Sequence, residues 1–441
     1  MPQPGGDVAL APVESPERRH RPLEEEDLDF SRADTLYATH GLHPYAAKCP
    51  PPLVRWALER YSRPGQRVLD PMAGGGTTLV EALLTGRRAV ACDIDPLACL
   101  LARVKGTPLD PAEAERAGHR VLAALGQGAF DDSPLTDEEG PWPDIPNFRR
   151  WFLPSVARGL AALREAIQGV DTAPSVRAFL WVVFSSLILS KNSVANARDI
   201  VHSRHHYRAH PRPPAVRALF DRALRRRLRQ VSEFAHRCRR WPQATGVVLR
   251  SDARRLPLAD GSVDMVFTSP PYYTALDYTR AHSFAVAWLA DVLGVPAADY
   301  RRRGVDYIGS ERILARAAEA PLPPVPALVE TVREVSEADV RRGRQLRRYL
   351  ADMWQALGEM ARVLVPGGYC VLVVCPSTVR RRPLPTHRLL EDMARSLPGP
   401  RLEPQGRVRR VMDDRRRVMP YLDSRFGPRM RTEYVLVLRR P

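Results

Sequence analysis

Asp70-Pro71-Met72-Ala73-Gly74-Gly75-Gly76-Thr77-Thr78 is the stretch that decides the fold of this chain. Before it, Gln66-Arg67-Val68-Leu69 reads as a short buried strand that ends at Asp70. Three successive glycines then allow a sharp turn, positive φ angles and a close approach of the backbone to a ligand. Thr77 and Thr78 open a helix that runs to about Leu84 and stops near Gly86, offering hydroxyls and unpaired backbone N–H groups to the turn. Arg88 to Cys92 is a second strand, followed by Asp93-Ile94-Asp95-Pro96. The result is one β-α-β unit, for which a right-handed crossover is expected. A glycine turn between first strand and helix is the ordinary first ligand contact of an open α/β sheet. No Lys follows the glycines, so this is not a P-loop, and the spacing is not the G-x-G-x-x-G of a dinucleotide fold.

Working outward, the prolines of His43-Pro44-Tyr45-Ala46-Ala47-Lys48-Cys49-Pro50-Pro51-Pro52 give way to helical spacing from Leu53 to Tyr61. Residues 1–34, rich in Pro, Glu and Arg, are expected to be disordered. From 106 to 245 the pattern is helical with no clear strand series, including the apolar run Phe179 to Leu189 and the basic helix Ala215 to Arg240. Strands resume at Gly246 to Asp252 and at Val263-Asp264-Met265-Val266-Phe267-Thr268. A smaller insertion covers 294–344, and Leu350 to Leu364 is an amphipathic helix. Pro366-Gly367-Gly368 reads as a turn, Tyr369 to Cys375 as a strand, and Glu433 to Leu438 as a final strand. The expected class is α/β: a Rossmann-like sheet with helices on both faces, discontinuous over 35–105 and 246–441, carrying a mostly helical inserted domain at 106–245.

The 441 residues carry a formal net charge of +17, which favours nucleic acid as a partner. Lysine occurs only at Lys48, Lys105 and Lys191, so the positive charge is nearly all arginine, a bias that a GC-rich coding background also produces. No run is apolar enough to span a bilayer, and the N-terminus lacks the basic-then-apolar order of a signal peptide, so the cytoplasm is the expected location. The six cysteines form no C-x2-C pair, and His205, His206 and His210 have no Cys or acid at ligand spacing, so no metal is expected. No Pro-Cys dipeptide occurs, which speaks against a cysteine nucleophile of the kind used at cytosine carbon-5.

The second informative string is Thr268-Ser269-Pro270-Pro271-Tyr272, at the end of a strand. An aromatic exocyclic amine is a poor nucleophile because its lone pair is delocalised into the ring. Acceptors aimed at its hydrogens localise that pair and stabilise charge developing on nitrogen. Ser269 Oγ and the Pro270 carbonyl can be those acceptors, the two prolines stiffen the turn, and Tyr272 offers a face for a base. Taken alone, the string is also a plain proline-stiffened turn. Asp93, after the second strand, can take both hydroxyls of a ribose, and Asp252, after the third, is placed to meet an adenine amine; each could instead cap a helix. In Tyr273-Thr274-Ala275-Leu276-Asp277-Tyr278, the residues Tyr273, Asp277 and Tyr278 border a base pocket, or else Tyr278 and Asp277 cap and pack the next helix.

Together, Asp-Pro-x-x-Gly-x-Gly-Thr-Thr and Ser-Pro-Pro-Tyr resemble the S-adenosylmethionine-dependent DNA amino-methyltransferases, which modify cytosine N4 or adenine N6. The resemblance implies that Asp70, Pro71, Gly74, Gly76, Thr77, Thr78 and Asp93 bind S-adenosyl-L-methionine, with Tyr45 and Lys48 lining its methionine pocket and Asp252 at the adenine. It implies that Ser269, Pro270, Pro271 and Tyr272 form the catalytic turn acting on a base flipped from double-stranded DNA. Ser before Pro-Pro leans towards cytosine N4 in that family. Adenine N6, a tRNA guanine N2, and a nucleic-acid-binding module that has lost catalysis are the alternatives. A cognate restriction endonuclease is a possible partner. The glycine turn precedes Ser-Pro-Pro-Tyr here, whereas many relatives have the reverse order; such a circular reordering preserves the site. For target contacts, the inserted domain offers Lys191, Asn192, Arg198, Arg204 and His206, joined by Tyr273, with a solvated basic loop as the plainer reading.

Overall fold

The computed structural model describes residues 22–45, 48–126, 133–136, 140, 142–189, 215–273, 277–312, 321–379, 382–411 and 432–441. Among the described residues nine strands follow one another. They are β1 Arg67–Asp70, β2 Arg88–Asp93, β3 Gly246–Arg250, β4 Val263–Thr268, β5 Leu364–Val374, β6 Ser377–Val379, β7 Arg382–Leu384, β8 Glu403–Val411 and β9 Thr432–Arg439. Seven of them form the central sheet, in the order β3-β2-β1-β4-β5-β9-β8. The first five in that order are parallel, and β9 inserts antiparallel between β5 and β8. The remaining two, β6 and β7, pair as a small hairpin after β5.

Both faces of the sheet are covered, and strand pleating divides the core. Val68, Met265, Phe267, Val371 and Val373 pack towards α1 (Pro51–Tyr61) and α2 (Thr77–Leu84). Their neighbours Leu69, Val266, Cys370 and Leu372 pack towards the helix Val340–Val363. Near-continuous apolar runs are what a parallel strand buried on both sides requires. The helix after β2, α3 (Pro96–Lys105), starts cleanly because Asp95 Oδ1 accepts from Leu97 N at 2.8 Å and Ala98 N at 3.2 Å, with proline at the first helical position.

The region after α3 is helical, with long helices at Pro111–Ala124, Pro154–Gly169, Pro174–Leu189 and Val216–Cys238. Among the described residues it shares its core with the sheet domain: Leu97, Leu101 and Val104 of α3 and Phe284, Trp288 and Tyr300 from beyond β4 lie in one cluster with Phe152, Leu160, Phe179 and Phe220.

Three expectations change. Residues 22–34, assigned to a disordered tail, are docked: Leu28 is buried and its carbonyl accepts from Arg410 Nε at 3.0 Å. Pro366-Gly367-Gly368 is not a turn but an irregular stretch inside β5, where the register with β4 shifts between Val263 and Met265. β8, absent from the expectation, is a charged edge strand whose alternation is hidden by arginines on its exposed side.

Candidate active site

β1 and β4 lie side by side in parallel, with Val68 opposite Met265 and Leu69 opposite Val266, so their carboxyl ends open onto one edge. From here the chain builds outward in opposite directions, to β2 and β3 on one side and β5 on the other, which leaves a crevice at the strand ends. The glycine turn is held at this crevice by its own acids. Asp70 accepts from Thr78 Oγ1 at 2.6 Å and Met72 N at 3.2 Å, and Asp93 Oδ2 accepts from Gly74 N at 2.7 Å. Behind the turn, the buried Lys105 Nζ donates to the Gly75 carbonyl at 2.9 Å, and burial brings its amine down to about 7.

One cavity joins the two strings. Its glycine side is formed by Asp70, Pro71, Gly74, Gly75, Thr77 and Thr78, with Tyr45, Lys48 and Cys49 above. The β2 and β3 ends add Asp93, Ile94, Asp95, Asp252 and Ala253, and the β4 end adds Ser269 and Pro271. Tyr278 and the segment Asp306-Tyr307-Ile308 complete the wall. The rings of Tyr45 and Tyr278 are stacked with centroids 6.1 Å apart. Burial raises the Asp70 carboxyl to about 6, and burial followed by the nearby Asp95 charge raises Asp93 to about 7. Burial also lowers the Lys48 amine to about 8, while its Nζ donates to the carbonyls of Thr35 and His40 at 3.3 and 3.2 Å.

Eleven of the residues expected at the site therefore line one cavity: Tyr45, Lys48, Asp70, Pro71, Gly74, Thr77, Thr78, Asp93, Asp252, Ser269 and Pro271. Others are placed differently. Gly76, assigned to the cofactor, is absent from the lining; at φ +77° it faces α3, where a Cβ would stand 2.8 Å from the Ala102 Cα. Pro270 and Tyr272 are also outside the lining, and Tyr272 donates its hydroxyl to Glu433 Oε1 at 3.0 Å. Tyr273, assigned to nucleic acid, is turned into the core, 3% exposed, beside Tyr349 and donating to the Arg342 carbonyl at 2.8 Å. Asp277 caps the turn Tyr278–Ala281, accepting from Arg280 N at 3.1 Å, while Tyr278 takes the cavity role. The cap beyond β2 is Asp95, not Asp93. The Asp252 carboxylate is gripped by Arg254, whose Nε and terminal nitrogen lie 2.9 and 2.6 Å from its two oxygens. Lys191, Asn192, Arg198, Arg204 and His206 lie outside the described residues.

Sequence reasoning missed Lys105, Asp95 and the Asp306-to-Ile308 wall. A signal for Lys105 exists: two of only three lysines flank this site, and Lys, unlike Arg, accepts burial by shifting its pKa. Nothing in the sequence pattern marks Tyr307 or Ile308.

The donor set fits a nucleoside carrying a charged amino-acid arm. Asp93 presents a carboxylate for hydroxyls, while both oxygens of Asp95 are taken by the α3 cap and by Tyr300, and Ile94, Ala253 and Ile308 present apolar surface for a flat ring. The turn itself has room only for glycine at 74, where φ is +48° and a Cβ would come 2.9 Å from Tyr45 Cε1. Among the described residues no cluster of His, Cys, Asp or Glu could hold a metal ion, and no helix is long and apolar enough to cross a membrane.

Sheet order, antiparallel insertion of β9 and the acid-bounded glycine turn define a Rossmann-like α/β fold. Residues 15–103 match the DNA methylase family N6_N4_Mtase. The type II methyltransferase M.MvaI of Kocuria varians is 24% identical over 402 residues, 83% of each chain. M.MjaII of Methanocaldococcus jannaschii is 44% identical over 82 residues, which is 18% of this chain and 16% of that protein. A crystal structure of an S-adenosylmethionine-dependent methyltransferase from Methanosarcina mazei covers 87% of this chain and 96% of its own at 10% identity and a TM-score of 0.30. The family match and the two type II relatives support an assignment to the N4/N6 DNA amino-methyltransferases, with S-adenosylmethionine as the cofactor.

Proposed function

We propose that this chain methylates the exocyclic N4 of cytosine in duplex DNA at a specific site. The observation that supports it best is the shared cavity: Ser269 and Pro271 of the amine-binding turn line the same space as Gly74 and Asp93 of the cofactor turn. When bound, S-adenosylmethionine supplies a methyl group on a sulfonium. Asp93 would accept from the ribose hydroxyls, while Tyr45 and Lys48 close over the methionine arm. Ser269 Oγ and the Pro270 carbonyl would accept the two amine hydrogens, localising the lone pair on nitrogen. Transfer would join the amine nitrogen to that methyl carbon as its bond to sulfur is lost, with one amine proton passing to solvent. Tyr272 would stack on the base, which must be flipped from the duplex to reach this depth. Ser rather than Asp or Asn before Pro-Pro favours cytosine within the family.

The two type II relatives suggest a cytoplasmic modification enzyme with a cognate restriction endonuclease reading the same site. Unmethylated DNA and tRNA should be incubated with methyl-labelled cofactor, digested to nucleosides and resolved by mass spectrometry. N4-methylcytosine from DNA is the expected product. N6-methyladenine would move the target to adenine, and label confined to tRNA would overturn the DNA reading.

A further inference from the structure

The cavity wall opposite the glycine turn comes from neither string. It is the segment Asp306-Tyr307-Ile308, at the end of the short helical turn Arg303–Asp306 within the second insertion. Tyr307 sits close enough to Asp93 and Asp95 that their charges, after burial, push its phenol up. A segment of this kind needs an anchor, because a single short turn buries little apolar surface of its own.

The geometry points to Arg254 as the positioning residue that latches this wall over the cofactor cavity. Its guanidinium, 14% exposed at the side chain, ties three elements together. It holds Asp252 of the β3 exit through both carboxylate oxygens and Asp352 of the helix Val340–Val363 at 2.8 Å. A remaining N–H reaches the carbonyl of Asp306 at 2.8 Å, immediately before the two wall residues. Arg348 Nε at 2.6 Å fixes the other oxygen of Asp352, so the anchor is itself anchored. The planar fork grips Asp252 through two nitrogens while a third reaches Asp352, a span that the three donors of a lysine ammonium, all on one atom, do not reproduce. Asp252 thus also orients Arg254 from the cavity edge.

This assignment rests on the cofactor reading above for the ligand, but not for the latch itself. Arg254→Lys should leave the protein folded by circular dichroism, speed amide exchange at residues 303–308 in the ligand-free state, and weaken binding of S-adenosylhomocysteine about tenfold by calorimetry. Asp352→Asn, which lies outside the cavity, should do the same to a smaller extent and serves if Arg254→Lys fails to fold. In a Tyr307→Ala background, Arg254→Lys should cost much less affinity, because the wall it holds is already gone. Unchanged exchange at 303–308, or fully additive losses in the double variant, would overturn the latch. Failure of the wild-type chain to bind S-adenosylhomocysteine would overturn the cofactor reading, while exchange at 303–308 would still decide the latch.

Discussion

At the scale of single residues, Gly76 and Asp93 separate two roles that one motif conceals. Gly76 combines φ +77° with a backbone approach to Ala102, so it serves to bring α2 and α3 together. Gly76→Ala should therefore lower the melting temperature, by strain of roughly 1–2 kcal/mol before the clash with Ala102 is added. Asp93 contributes a pH dependence alongside Lys105 at about 7 and Lys48 at about 8, whose charge is lost as pH rises through those values. With its carboxyl at about 7, raised by burial and by Asp95, its charged form is present above that pH and lost below it. A hydroxyl donor prefers the carboxylate, so cofactor affinity measured by calorimetry should fall as pH drops from 8 to 6, approaching on the order of tenfold per unit below the midpoint. Asp70, at about 6, would add to the loss at the acid end. The tyrosines facing Asp93, namely Tyr45, Tyr278 and Tyr307, are all pushed up and stay neutral across this range. Asp93→Asn should bind more weakly and with a flatter pH profile.

At the scale of elements, the edge strands reach under the Ser269-to-Tyr272 turn. Glu433 at the start of β9 accepts from Tyr272 through one oxygen, and Arg410 of β8, its cross-strand partner, donates to the other at 2.5 Å. Both side chains are about one-tenth exposed, so removing Arg410 leaves a nearly buried carboxylate unpaired. Arg410→Met should destabilise by on the order of 3 kcal/mol in urea titrations. Tyr272→Phe should leave cofactor affinity intact while lowering kcat, because only the hydroxyl that fixes the ring is lost. This support was not legible in the sequence, and the reason is physical. The β-α-β unit and β4 are buried on both faces and announce themselves through apolar runs and glycine, whereas β8 exposes Arg407 and Arg409 and shows little apolar alternation. Tyr273 was misplaced for a related reason: beside Tyr272 it alternates to the opposite side of the turn, where Tyr349 and the Arg342 carbonyl receive it. The wall at Tyr307 depends on a long-range grip by Arg254, which no local pattern records.

At the scale of the molecule, charge and core continuity set two expectations. A net charge of +17 predicts DNA binding that is strongly salt-dependent. If six or more phosphates are met, affinity by fluorescence anisotropy should fall by about a thousandfold or more between 50 and 200 mM salt. The inserted helical region is expected not to be removable. Excision of residues 106–245 would strip Leu97, Leu101, Phe284 and Trp288 of their packing partners, and the shortened chain should be recovered insoluble.

That shared core also governs the order of assembly. Ala91 of β2 must find Val248 of β3 across the whole inserted region, and Leu69 of β1 must find Val266 still further along. Parallel pairings so distant in sequence close late and slowly, since loop entropy is lost before any contact is gained. The helices between them pack on α3 and on Phe284 and Trp288 from beyond β4, so they are expected to condense together with strand closure, which pulse-labelled amide exchange during refolding would test. The pocket, lined from both sides of that closure, cannot be complete before it. A nascent chain would acquire the capacity to bind S-adenosylmethionine only once β3 and β4 have been synthesised and docked, which makes ligand binding a natural clock for completed folding.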